Sequence, residues 1–171
     1  AAGTGNAVTV TGNAMHGRVY GFKMTAWNDG GFSADSNVMS LTIPPSNPSG
    51  LTAVSGFTAA TPRVDLSWAS NVAAENVSEY RIYRSLAASP LSGYVSVGTA
   101  TSPVTIFSES GLTDATPYYY LVGAVSGGLE SRLNTANARA VTAYRPPNAP
   151  AGLTAAPGNA YGAYLRDPDG H

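Results

Sequence analysis

The stretches Arg63-Val64-Asp65-Leu66-Ser67-Trp68 and Tyr80-Arg81-Ile82-Tyr83-Arg84 alternate between apolar and polar side chains. In the first, Val64, Leu66 and Trp68 fall on one side of an extended chain and Arg63, Asp65 and Ser67 on the other. That period of two marks a strand with one dry face and one wet face. In the second, Tyr80 and Ile82, followed by Arg84, alternate with Arg81 and Tyr83. Val95 with Val97, Val104 with Ile106, and Tyr118, Tyr120, Val122 and Ala124 continue the theme, each run bounded by Gly, Pro, Asn or Asp. With Leu51 and Ala53 before them and Ala138, Ala140 and Thr142 after, about seven strands fit into about a hundred residues, the pattern of an antiparallel β-sandwich.

Outward from this core the sequence repeats. Pro44-Pro45-Ser46-Asn47-Pro48-Ser49-Gly50-Leu51-Thr52-Ala53 returns 102 residues later as Pro146-Pro147-Asn148-Ala149-Pro150-Ala151-Gly152-Leu153-Thr154-Ala155, identical at seven of ten positions. Tyr20 to Ala26 returns 98 residues later as Tyr118 to Ala124, each followed by a Gly-Gly turn and then Ser33 or Ser131. A unit of about a hundred residues is a domain and not a solenoid repeat. The prolines between units fix φ and withhold an N–H, which favours a stiff, extended linker.

Composition excludes whole classes of function. Only 11% of the 171 residues are charged and the formal net charge is −1, so the chain lacks the basic footprint of a nucleic-acid partner. No run of apolar residues is long enough for a membrane-spanning helix, so membrane insertion is not expected. With no Cys there is no disulfide framework, thiolate nucleophile or cysteine zinc site, and two His, at 16 and 171, leave little for a metal or a triad. The 19 Gly and 12 Pro punctuate turns, while ten Tyr and two Trp supply core material.

Six landmarks stand in the order and spacing of a known family: Pro48 in a Pro-rich lead-in, Leu51, Trp68, Tyr80, and Leu112 followed six residues on by Tyr118. In these the chain resembles fibronectin type III modules, and Tyr80 to Arg84 resembles a strand of such modules in bacterial secreted glycan-degrading enzymes and surface proteins. The resemblance implies an all-β, immunoglobulin-like antiparallel β-sandwich, in tandem. Residues 1–43 are expected to form the C-terminal part (strands E to G) of one module, with Val8 and Val10 on strand E. Residues 44–145 form a complete module, and 146–171 the N-terminal part (strands A and B) of a further one, in which Asp167 falls where the central unit has Trp68. The expected core is Leu51, Leu66, Trp68, Tyr80, Ile82, Leu112, Tyr118, Tyr120 and Val122. Tyr118 is expected to act as a tyrosine corner, its ring buried and its hydroxyl bonded back near Leu112.

Little in the sequence points to catalysis, and no catalytic residue, metal ligand or cofactor is expected. Glu75 and Glu79, four apart on a loop entering a strand, are expected to be solvated, without the opposed geometry of a glycosidase pair. His16 is expected in a solvated turn. No Gly-x-Ser-x-Gly elbow is present, and the central unit has no His to serve as base. Asn76-Val77-Ser78 matches a glycosylation sequon, and the cell-attachment tripeptide Arg-Gly-Asp is missing. The ending Gly162 to His171 resembles a segment of glyoxalase-like metal enzymes, but Asp167-Pro168-Asp169-Gly170 reads first as a turn. Trp27, after a strand of the first unit, Phe32, across its Gly-Gly turn, and Tyr83, Tyr94 and Tyr119, on the outward register of their strands, are the candidate surface-binding residues, flat faces that would stack on sugars or on a neighbouring protein.

The expected function is a non-catalytic, extracellular or cell-surface array that spaces, presents or assembles other parts. Its partners would be neighbouring modules or other copies of the chain. Two alternatives are a glycan-binding accessory to a polysaccharide-degrading enzyme and a filament subunit completed by strands from the next chain.

Overall fold

The computed structural model describes residues 14–59, 61–147 and 152. The strand Val8 to Val10, the strands Leu153 to Ala155 and Tyr161 to Arg166 of the third unit and the Asp167 to His171 turn expected from sequence lie outside the described residues. Those described form strands and three short 3-10 turns, with no α-helix among them.

The first part is a hairpin. Strand β1 (Val19–Phe22) pairs antiparallel with β4 (Met39–Thr42), Tyr20 opposite Leu41. At its tip β2 (Trp27–Asn28) pairs with β3 (Gly31–Phe32), Trp27 opposite Phe32. The tip closes because Asn28 Oδ1 accepts from Gly30 N at 2.8 Å and Gly31 takes a φ of +116°, which only glycine adopts without strain.

Past Pro48 comes a two-sheet module. One sheet runs β5 (Ser49–Thr58), β6 (Thr61–Ala69), β9 (Ile106–Ser110). The other runs β8 (Val95–Thr101), β7 (Glu79–Ser85), β10 (Thr116–Ser126), with β11 (Leu129–Glu130) and β12 (Arg139–Ala143) both along the far edge of β10. Every pairing is antiparallel. β7 already occupies one edge of β10 as far as Val125, so β11 and β12 are successive pieces of one interrupted strand, and eight strands follow seven paths.

The alternation read from sequence decides which side chains meet. Along β6, Val64, Leu66 and Trp68 are buried while Arg63, Asp65 and Ser67 face outward. They join Leu51, Tyr80, Ile82, Leu112, Tyr118, Tyr120, Val122 and Ala124 in one core between the sheets. Trp68 and Tyr80 meet edge to face, ring centroids 5.4 Å apart, the offset that an aromatic quadrupole favours.

Two short runs take a different register from the one expected. A bulge between Ile82 and Tyr83 inserts Val97 opposite neither, so Val97 packs on the core while Val95 is exposed. On β9 it is Phe107 that packs inward, and Val104 and Ile106 are exposed. The cause sits across the sheets at Gly98, where a Cβ would fall 2.5 Å from the Phe107 ring, so the missing side chain makes the slot that Phe107 fills.

Candidate functional site

Three polar clusters gather every glutamate of the module, Glu75, Glu79, Glu109 and Glu130, with Arg81 and Arg84. The first lies within the sandwich, where β7, β9 and β10 bring Arg84, Glu109 and Tyr120 together. Arg84 forms an ion pair with Glu109, whose other oxygen accepts from the Tyr120 hydroxyl at 2.8 Å, and the guanidinium lies 5.3 Å from the Tyr118 ring centroid. Burial, then the bond to Glu109, pushes the Tyr120 phenol far above its ordinary value, so it serves only as a donor. Arg84 and Tyr120 of one sheet are thus tied to Glu109 of the other.

The second cluster crosses the outer face of the β7–β10 sheet. Tyr83 donates to both oxygens of Glu130 at 2.8 and 3.0 Å, and Arg81 bridges Glu130 and Glu79 at 3.0 Å each. The bridge passes over Gly123, where a Cβ would press on the Glu130 carboxylate and make it shift. Burial and the Glu130 bond push the Tyr83 phenol up to about 12.

The third cluster sits where the hairpin meets the module. Glu75 ends the 3-10 turn Ala73–Glu75 and is buried, 7% exposed, which corrects the expectation that it is solvated. Its carboxylate accepts from Ser46 N and Ser46 Oγ, both at 2.8 Å, and from Asn71 Nδ2 at 2.8 Å. Burial alone would raise its pKa, but the bonds from Asn71 and Ser46, with His16 nearby, outweigh that and hold the carboxyl below the usual range. Glu79 is half-buried and bound to Arg81, so it is not freely solvated either. His16 is exposed, its Nδ1 3.0 Å from the Pro44 carbonyl.

The candidate surface aromatics do not form one patch. Trp27 and Phe32 are 75% and 81% exposed and face each other at the hairpin tip. Tyr83 and Tyr119 are half-buried, Tyr83 with its hydroxyl already engaged. Tyr94 is buried, against the outward placement expected: it precedes β8 instead of lying on it, ends the turn Leu91–Gly93, and bonds the Ala88 carbonyl at 3.1 Å.

Among the described residues Glu75, Glu109 and Glu130 are each bonded to internal donors, and the Tyr83 and Tyr120 phenols are held protonated. A pocket between Asn47, Leu51, Leu121 and Asn134 holds about 10 Å³, room for a single water, and an open cleft of about 270 Å³ lies at the hairpin tip between Trp27, Asn28 and Phe32. Among the described residues no three His, Asp or Glu side chains gather as metal ligands, and no helix is long and apolar enough to cross a membrane. Sequence reasoning missed Ser46, Asn71 and Glu109. Only Glu109 left a signal, since it lies two residues from Phe107 and therefore faces inward with it.

No family model and no curated protein matches the chain. Among solved structures, a segment of two fibronectin type III domains from chicken tenascin is similar at 17% identity and a TM-score of 0.50, over 72% of this chain and 64% of that one. A fibronectin type III-like protein from Clostridium thermocellum is 28% identical with a TM-score of 0.43, over 52% of this chain and 83% of that one. The fibronectin type III domain of human collagen alpha-1(XX) is 23% identical with a TM-score of 0.45, over 63% and 92%. The tenascin likeness speaks for the fold: the module is an immunoglobulin-like sandwich of the fibronectin type III kind.

Proposed function

We propose that the chain is a non-catalytic tandem array of fibronectin type III modules, divided as 1–43, 44–145 and 146–171, that spaces and presents other parts outside the cell or on its surface. One observation carries this reading. The hydrogen bonds that clasp the hairpin recur 98 residues later within the module, on the other side of the Pro44 to Pro48 linker. Two like units joined by a stiff linker make a spacer, and internal bridges use up the groups that catalysis would need. The purified chain is expected to turn over no polysaccharide or ester and to sediment as a monomer. Turnover overturns the reading, and concentration-dependent polymerisation replaces it with the filament.

The Trp27–Phe32 pair favours a second reading, a glycan-binding accessory, because two exposed aromatic faces sit opposite each other. Against it, the position 98 residues on from Trp27 is Val125, which is buried in the module. Retention on insoluble polysaccharide that is lost on Trp27→Ala or Phe32→Ala supports glycan binding; no retention removes it.

A further inference from the structure

The linker between hairpin and module has no uncommitted residue. Ile43 N donates to Arg18 O at 2.8 Å, and the Pro44 carbonyl lies 3.0 Å from His16 Nδ1 and accepts from Gly17 N at 3.3 Å. Pro45 is buried. Ser46 is held at three atoms: its N and Oγ bond Glu75, and its carbonyl accepts from Asn71 Nδ2 at 2.8 Å. Asn47 Nδ2 donates to Arg132 O at 2.6 Å. Hinges work through a few residues that absorb a change in φ and ψ, and here three of the five residues from Pro44 to Pro48 are prolines with fixed φ, while Ser46 and Asn47 are bonded to the module and Ile43, just before them, to the hairpin.

The two bodies also touch directly. Gly17 has a φ of +68°, and a Cβ built on it would lie 2.5 Å from both Cα and O of Glu75. The turn before β1 is therefore packed backbone to backbone on the loop that carries the Glu75 carboxylate. The same loop thus grips the linker through its side chains and seats the hairpin through its backbone.

We propose that the joint between residues 14–43 and 45–145 is a fixed one, with Glu75 as its clamp and Gly17 as the clearance that lets the two bodies seat. This deepens the spacer reading and rests on it: a spacer with such a joint transmits direction as well as distance. The partner fitted by this surface is the preceding module of the same chain, recognised through a left-handed glycine and a linker hydroxyl.

The chain has no Cys, so Ser40→Cys and Thr99→Cys, both at exposed positions, give a unique pair of spin labels, one on each body. Pulsed dipolar spectroscopy on the full chain is expected to return one narrow distance distribution. Glu75→Ala is expected to broaden it at least twofold, Gly17→Ala to shift or broaden it, and Glu79→Ala, on the neighbouring strand and outside the clamp, to leave it unchanged. Unaltered Trp68 fluorescence and thermal unfolding show that the module is folded in each variant. Should Glu75→Ala fail to fold, Gly17→Ala and Ser46→Ala read the same joint from the other side. A broad distribution in the parent, or one that none of the clamp variants changes, overturns the proposal. Either result leaves the spacer reading standing, whereas turnover or glycan retention would remove that reading without touching the distances.

Discussion

Tyr20 and Tyr118 each accept a hydrogen bond from the amide five residues upstream, Met15 N at 2.7 Å and Thr113 N at 3.1 Å. Ala26 and Ala124 each exchange two bonds with the serine seven residues on: the amides donate to Ser33 Oγ at 2.9 Å and Ser131 Oγ at 3.0 Å, and both serine amides donate back at 2.8 Å. Gly17 and Ala115, three residues before each tyrosine, both take positive φ. The strand pair of the hairpin and that of the module are thus the same device. They differ in burial: Tyr118, Tyr120 and Val122 lie in the core, whereas their counterparts on the hairpin are half-buried (Tyr20, Phe22) or exposed (Met24). Local hydrogen bonds follow from local sequence, while burial requires a second sheet to cover the face.

The largest test of that difference is the tyrosine itself. Tyr118→Ala is expected to lower the module's stability in urea denaturation by about 3–5 kcal/mol, the usual cost of deleting a core aromatic. Tyr20→Ala, half-buried on the hairpin and outside the module's core, is expected to leave the same transition within about 0.5 kcal/mol. Equal effects would mean that hairpin and module share one folding unit.

A smaller contrast concerns the clasp. Ser131→Ala leaves the Ala124 amide buried without its acceptor, at an expected loss of about 1–3 kcal/mol with faster amide exchange at Ala124. Ser33→Ala exposes the Ala26 amide to water, and its effect on the module transition should stay below about 0.5 kcal/mol.

At the shared positive-φ position the sign reverses. Ala115 has a φ of +53°, where an L side chain is strained, so Ala115→Gly is expected to stabilise the module by about 1 kcal/mol. A raised urea midpoint confirms it; a lowered one means that the methyl makes a contact worth more than the strain.

The smallest effect on global stability is that of pH at the joint. Because Glu75 is held below the ordinary carboxylate value, its contribution is complete above that value, about 4.3, and is lost as pH falls through the lower folded pKa. Among the described residues, His16 is the charged group that acts on it. The Gly17 amide resonance is expected to titrate with a midpoint below about 4.3, and a midpoint above it would contradict the saturated carboxylate.

Much of this was legible without coordinates. The strands around Trp68 and Tyr80 follow from alternation, because one residue in two must face a dry interior. The likeness of Tyr20 to Tyr118 and of Ser33 to Ser131 follows from the 98-residue repeat, down to the same hydrogen bonds. Glu75 did not show itself, since its partner Ser46 is 29 residues away and on the far side of two strands. Tyr94, Val95 and Ile106 depart from simple alternation because a bulge and the space at Gly98 shift register without leaving a mark in the pattern of apolar residues.

The sequence by itself determined the strand periodicity, the hundred-residue unit, the stiff linkers and the local clasps, all set by neighbours within a few residues. Tertiary structure alone decided which repeated faces are buried, that Arg84 and Glu109 pair across the sheets, and that Glu75 holds the linker. The physical reason is range. Backbone geometry and side-chain alternation act along the chain, whereas desolvation and the saturation of a buried carboxylate depend on which distant segments arrive to cover it.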